Sequence, residues 1–217
     1  MKDFYTELAE YTGRDYELVK ARCIIAHIEM AWLWEEYKDR PLDFYRETDW
    51  YIFGLSNYQA RMAETKNDIW YQYQIRTHGW KKGLDLGGGI GEQTILGIEE
   101  GADMTYVDLE RSKTRVYAEW RFNKYNVKPK IENENYKVDQ DYDFIVAMDI
   151  LEHLEKPEPV IENFSKHTEW LFCNPEYLFF DKWNPQHISK FDLTKYFKKE
   201  EIYLWKRKEV ENENNES

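Results

Sequence analysis

Two periodicities divide the chain. Over the first 78 residues the apolar positions recur at helical spacing, and from Leu84 onward short apolar runs alternate with helical ones. Between Asp15 and Lys38, Leu18, Ala21, Ile25, Ile28 and Trp32 fall 3, 4, 3 and 4 residues apart, which predicts a helix with that stripe buried. Gly13 breaks the chain ahead of it and Pro41 closes it, because a residue before proline is pushed out of helical geometry. The stretch from Asp43 to Ser56 is dense in aromatics and interrupted by Gly54; Ser56 then predicts the cap of a helix from Asn57 to about His78, ended by Gly79. In the second part, Gly83–Leu86, Ala102–Asp108, a weak run within 129–136, Tyr142–Met148, Thr168–Cys173 and Glu201–Lys208 read as strands. Helices are predicted over Glu92–Glu100, over Arg111–Tyr125 with Val116, Tyr117 and Trp120 inward, and over Pro159–Lys166 with Val160, Ile161 and Phe164 inward.

Strands alternating with helices predict an α/β domain with a mainly parallel sheet over residues 79–208, and the first 78 residues form an all-helical cap in front of it. The link between the two, residues 79–82, is so short that the cap must pack near the first strand. Residues 209–217 are polar and are expected to be a disordered tail.

Composition narrows the function classes. The chain has 217 residues, 42% hydrophobic and 17% aromatic, as a folded protein does, and a net charge of −12 with no run of lysine or arginine. That balance disfavours a protein that grips nucleic acid through its phosphates. Cys23 and Cys173 form no zinc or redox spacing and read as buried free thiols. The N-terminus lacks the apolar core of a signal peptide, and no apolar run approaches the roughly 20 residues of a membrane span, so a soluble cytoplasmic protein is expected.

The chemistry concentrates between residues 82 and 95. Gly87, Gly88, Gly89 and Gly91 separate a short strand from the helix that follows, too many for an ordinary turn. A ligand resting there meets bare amides and the positive end of a helix, which suits a nucleotide or nucleoside. The dinucleotide fingerprint G-x-G-x-x-G fails, because Glu92 or Thr94 stands where its third glycine belongs. What is present is Asp85-x-Gly87-x-Gly89-x-Gly91. Asp108 ends the second strand 17 positions after Gly91, where a carboxylate can accept both hydroxyls of a ribose. Asp149-Ile-Leu-Glu-His-Leu154 follows the fourth strand with Pro157 close behind, and His187-x-x-x-Phe191 comes later.

From Lys82 to Cys173 these motifs resemble class I S-adenosylmethionine-dependent methyltransferases, most closely the ubiquinone-biosynthesis-type branch. The resemblance implies a doubly wound, Rossmann-like sheet with S-adenosylmethionine as cofactor. It places the glycine turn (Gly87, Gly88, Gly89, Gly91) against the methionine part of that cofactor, Asp85 near its amino group, Asp108 on the ribose, Leu109 near the adenine, and Met148 and Asp149 at the end of the fourth strand. The adenine contact after the third strand stays open among Asn133, Asn135 and Asp139. His153 and His187 are the candidate catalytic groups. In some relatives a set like Asp149, Glu152, His153 and His187 holds a divalent metal; the preferred reading here is metal-free, with Glu152 and His153 hydrogen-bonding within the fold. Relatives vary mostly in their N-terminal helices, which makes Phe44, Tyr45, Trp50, Tyr51, Phe53 and Tyr58 pocket candidates as a group. A small, flat or aromatic acceptor is expected, with its acceptor atom open and nucleic acid disfavoured. An NAD(P)-dependent Rossmann-type oxidoreductase is the competing enzyme class, disfavoured by Glu92, and a non-catalytic cofactor-binding relative is the third reading. The family closes its sheet with two strands, whereas only one is visible after residue 200, so the last strand is expected to be lost or replaced.

Overall fold

A computed structural model describes residues 2–174 and 185–209. Five helices come first: α1 (Phe4–Thr12), α2 (Tyr16–Tyr37), α3 (Pro41–Glu47), α4 (Trp50–Glu64) and α5 (Asn67–His78). Then β1 (Lys82–Leu86), α6 (Glu92–Glu99), β2 (Asp103–Val107), α7 (Lys113–Lys124), β3 (Lys130–Glu132), β4 (Tyr142–Ala147), a single 3₁₀ turn at Leu151–His153, α8 (Pro157–His167) and β5 (Thr168–Cys173) alternate in sequence. The sheet is finished by β6 (Phe197–Lys199) and β7 (Leu204–Arg207).

The sheet order is β3-β2-β1-β4-β5-β7-β6, with β1 to β5 parallel and β7 antiparallel to both of its neighbours. Strand order reverses between β1 and β4, and a cleft at the carboxyl ends of an open α/β sheet belongs at that switch point. The sheet therefore has its closing hairpin, contrary to the expectation of a missing last strand. β6 escaped notice because Phe-Lys-Lys has one apolar residue; tertiary pairing makes it a strand, with Phe197 buried and the Glu200 and Glu201 amides both donating to the Leu204 carbonyl in the turn.

The cap departs from the periodicity reading in three places. In α2 the buried stripe is Val19, Cys23, Ala26, Met30 and Trp34, while Leu18 is 52% and Trp32 70% exposed. The helix is apolar on two faces, and its neighbours chose between them. Gly54, read as a break, lies inside α4; a Cβ there would stand 2.7 Å from the Met30 Cε, so glycine is what lets α2 and α4 approach. The helix predicted over 57–78 is two, since Lys66 adopts φ 61° and ends the run between α4 and α5. On α7 the inward positions are Tyr117, Ala118, Arg121 and Phe122, while Val116 is half exposed and Trp120 only partly buried. On α8, Ile161 and Phe164 are buried and Val160 packs at the edge.

A buried ionic cluster bolts α1 to the sheet domain. Arg121, fully buried on α7, donates from Nε to Glu7 at 2.8 Å, from one terminal nitrogen to the Ile90 carbonyl at 2.7 Å and from the other to Glu92 at 2.5 Å. Lys2 donates to the other oxygen of Glu92 at 2.9 Å, and the Tyr125 hydroxyl donates to Glu7. Every charge in the cluster has a partner, the condition under which buried ions are tolerated. No helix among the described residues is long and apolar enough to cross a membrane.

Candidate active site

The cleft opens where β1, β2 and β4 end, and α3 and α4 form its outer wall. Its lining contains Asp85, Gly87, Gly88, Gly89, Asp108, Leu109, Met148, Asp149 and His153 from the sheet domain, together with Tyr45, Tyr51, Leu55, Tyr58 and Gln59 from the cap. The sequence motifs thus converge on one place.

One end is built by backbone. The Gly89 amide donates to Asp108 Oδ2 and the Leu109 amide to Oδ1, each at 2.7 Å. Both oxygens keep a lone pair for a hydroxyl donor from a ligand. Burial pushes the Asp108 carboxyl up to about 6, against the pull of those amides. Beneath the turn, Asp85 accepts from the Thr94 hydroxyl at 2.7 Å, and burial pushes it up to about 7. The Tyr106 hydroxyl donates to the Gly89 carbonyl at 2.7 Å, and Arg121 holds the next carbonyl, so the loop is fastened from below. Gly91 does not line the cleft. It starts α6 at φ 77°, and a Cβ would lie 2.5 Å from the Phe122 ring, so its glycine serves the packing of α6 on α7.

The other end is built by side chains. Asp149 follows β4 at φ 51°, a strained conformation for a residue with a Cβ. The Asn174 side-chain amide, at the end of β5, donates to Asp149, and the Tyr58 hydroxyl reaches the same carboxyl from α4. Glu152 lies against Asp149; burial raises both carboxyls, and for Glu152 the neighbouring charge adds to it. His153 Nδ1 stands 2.9 Å from the Tyr45 hydroxyl and 3.2 Å from the Gln186 carbonyl, and its ring meets His187 edge-on at 4.8 Å. Burial, then the neighbouring His187, holds His153 down to about 3, so it is neutral. Burial keeps Tyr45, Tyr51 and Tyr58 protonated.

Of the six aromatic pocket candidates, Tyr45, Tyr51 and Tyr58 line the cleft, while Phe44 and Phe53 are buried core and Trp50 packs beside them. Of the metal candidates, Glu152, His153 and His187 place ligand atoms within 4.8 Å of one another, and Asp149 stands outside that group. A carboxylate and two imidazoles are a donor set that a zinc-type ion accepts. None of the three residues left open for the adenine contact lines the cleft; Glu134 does, bound by Arg46 at 2.5 Å and by the Glu110 amide at 2.9 Å. Its only sequence signal was an acidic residue just past β3. Arg121 gave no signal, since nothing local distinguishes a buried arginine from a surface one. The Pro175 and Glu176 that follow Asn174 lie outside the described residues.

Comparison with known proteins points the same way. The sequence profile of a family described as "Methyltransferase domain" matches residues 56–208, so the match begins within α4. Among solved structures, an O-methyltransferase family protein from Burkholderia thailandensis superposes with a TM-score of 0.55 at 11% identity, over 85% of this chain and 71% of that one. An S-adenosylmethionine-dependent methyltransferase from Clostridium acetobutylicum gives 0.44 at 18% identity over 52% of this chain, which spans 51% of its length. Magnesium protoporphyrin IX methyltransferase from Synechocystis gives 0.45 at 16% identity, covering 56% and 61% of the two chains. No curated protein matches the chain.

Proposed function

This chain belongs to the methyltransferase-domain family, and from that premise we propose that it transfers a methyl group from S-adenosylmethionine to a small organic acceptor. When bound, that cofactor supplies an electrophilic methyl group on a sulfonium. The observation that carries the reading is the meeting of the glycine turn with Asp108: the Gly89 amide orients a half-buried carboxylate whose free lone pairs suit ribose hydroxyls. Leu109 then flanks the adenine and Glu134 stands at its rim. Asp85 and the turn hold the methionine part, and Met148 and Asp149 close the methyl end.

Residues 1–78 act in this reading as a cap that completes the pocket of the domain over 79–208. Tyr45, Tyr51 and Tyr58 supply an aromatic wall for a flat acceptor. Among the described residues that line the cleft there is no lysine or arginine, which fits a small acceptor better than a polyanion. Transfer is a displacement in line, for which the chain's work is to align the acceptor and exclude water. His153, as a neutral imidazole, hydrogen-bonds without carrying a charge; its ring meets that of His187. If a divalent cation binds, Glu152, His153 and His187 hold it and it orients acceptor oxygens or nitrogens.

Calorimetry with S-adenosylhomocysteine and with NAD tests the proposal. Binding of S-adenosylhomocysteine with micromolar affinity is expected; binding of NAD alone would sink the idea.

A further inference from the structure

Helix α2 has two apolar faces, and the fold of one chain uses only the first. Val19, Cys23, Ala26, Met30 and Trp34 are buried, on a helix packed by α1, α3 and α4. Leu18, Ala21, Ile25, Ile28 and Trp32 form the second stripe, and at about 100° per residue the two point in nearly opposite directions. The outer stripe alternates spacings of 3 and 4 over two heptads, as a coiled-coil seam does. Ile25 is 41% exposed, and Ile24, 53% exposed, widens the stripe on one side. Among the described residues, no hydrophobic cluster takes in any of these six side chains. A continuous apolar stripe about 21 Å long on a surface helix marks a docking face, unlike apolar residues scattered singly.

We propose that this face takes a second copy of the chain, with the two α2 helices antiparallel across a two-fold axis. The order of sizes and charges along the helix selects that occupant. With Ile25 set against Ile28 of the second copy, Ala21 meets Trp32 of the second copy, small against large, and Leu18 meets the aliphatic stem of Glu35. Along one flank Ile24 then faces Ala31 and Glu17 faces Lys38; along the other Arg22 faces Glu29. The axis repeats each contact, so opposite charges meet on both flanks. The Arg22 guanidinium lies 4.5 Å over the Trp50 and Phe53 rings of α4, which fixes its charge beside the seam. At the outer ends Glu36 and Asp15 bring like charges together, in solvent, where such a pair costs little. A parallel pairing is poorer: it stacks Trp32 on Trp32 and Ala21 on Ala21, and of these charges it matches only Glu17 with Arg22. Each chain carries a net charge of −12, and that repulsion keeps the pairing weak, with a dissociation constant on the order of 10 μM. Well below that concentration the face is solvated and its residues weigh little on folding.

Sedimentation equilibrium of the full chain at about 0.15 M salt, from about 1 to 100 μM, tests the proposal. The wild type should pass from monomer to dimer across that range. Ile25→Glu, which puts a charge in the seam at an exposed position, should hold the chain monomeric throughout. Glu17→Lys and Lys38→Glu should each weaken the dimer about fivefold, and combining them should restore it to within about twofold. Circular dichroism and thermal unfolding in dilute solution show that the variants are folded; should Ile25→Glu fail that check, the Glu17 and Lys38 exchange decides alone. A wild type that stays monomeric overturns the proposal and leaves the face to an occupant of another kind. A dimer that survives a folded Ile25→Glu has its interface elsewhere and overturns it as well. A dimer lost in Ile25→Glu but indifferent to Lys38→Glu overturns the antiparallel pairing, because a parallel seam makes no use of Lys38.

Discussion

The two ends of the cleft each centre on a half-buried aspartate, and they are held differently. Asp108 is fixed by two main-chain amides of its own loops. Asp149 is fixed by Asn174 from β5 and Tyr58 from the cap. Backbone amides are present whatever the side chains, so the first end can persist while sequence drifts; the second depends on individual residues that a single change removes. In the proposed reading the cofactor end is thus a property of the fold, and the acceptor end a property of this chain.

The largest blow to that contrast strikes the scaffold under the cofactor end. Arg121→Met leaves Glu7 and Glu92 buried without their partner and frees the Ile90 carbonyl. Losing one member of a buried ionic cluster costs about 3–5 kcal/mol, so chemical denaturation should show a loss of that order. Asp108→Ala, smaller in effect, should weaken S-adenosylhomocysteine by about 1.5–3 kcal/mol, or roughly ten- to a hundredfold, since charged hydrogen bonds are lost. Calorimetry checks it, and an unchanged affinity would separate Asp108 from the cofactor. Tyr58→Phe should leave cofactor affinity within about twofold and lower turnover at saturating cofactor by about 1 kcal/mol, or fivefold. A variant that lost cofactor binding instead would erase the division between the ends.

The pH response should show opposite signs. Asp85 and Asp108 are pushed in the folded protein to about 7 and about 6, above the ordinary carboxyl value of about 3.9. The folded state therefore binds protons more tightly than the unfolded one, and the stability these groups contribute is lost as pH rises through 6 to 7. The ligand-free protein should melt higher at pH 5.5 than at pH 8, while S-adenosylhomocysteine binding weakens over the same fall as Asp108 gains its proton. Thermal scans with and without ligand read both slopes. The smallest effect is expected at Trp32→Gln, within about 0.5 kcal/mol because the ring is 70% exposed, against about 3–5 kcal/mol for the buried Trp34→Ala.

The sequence by itself determined the sheet domain. Glycines at 87, 88, 89 and 91, carboxylates at 85, 108 and 149, and strand-length apolar runs between them are local signals, because a turn at positive φ and a strand buried on both faces each restrict residue type where they occur. β5 was legible to the residue for that reason. Tertiary structure decided what local pattern leaves open. An apolar helix face says that something covers it, not which of two faces is covered, and α4 settled that for α2 through the contact of Gly54 with Met30. Three residues with one apolar side chain become β6 only because β7 offers its edge. Which tyrosines meet the cleft, and that Arg121 joins α1 to the glycine turn, depend on groups distant in sequence: 108 positions separate Tyr45 from His153, and 114 separate Glu7 from Arg121. Hydrogen bonds at that range follow from where whole helices pack, which depends on side-chain volume and charge summed over the entire interface.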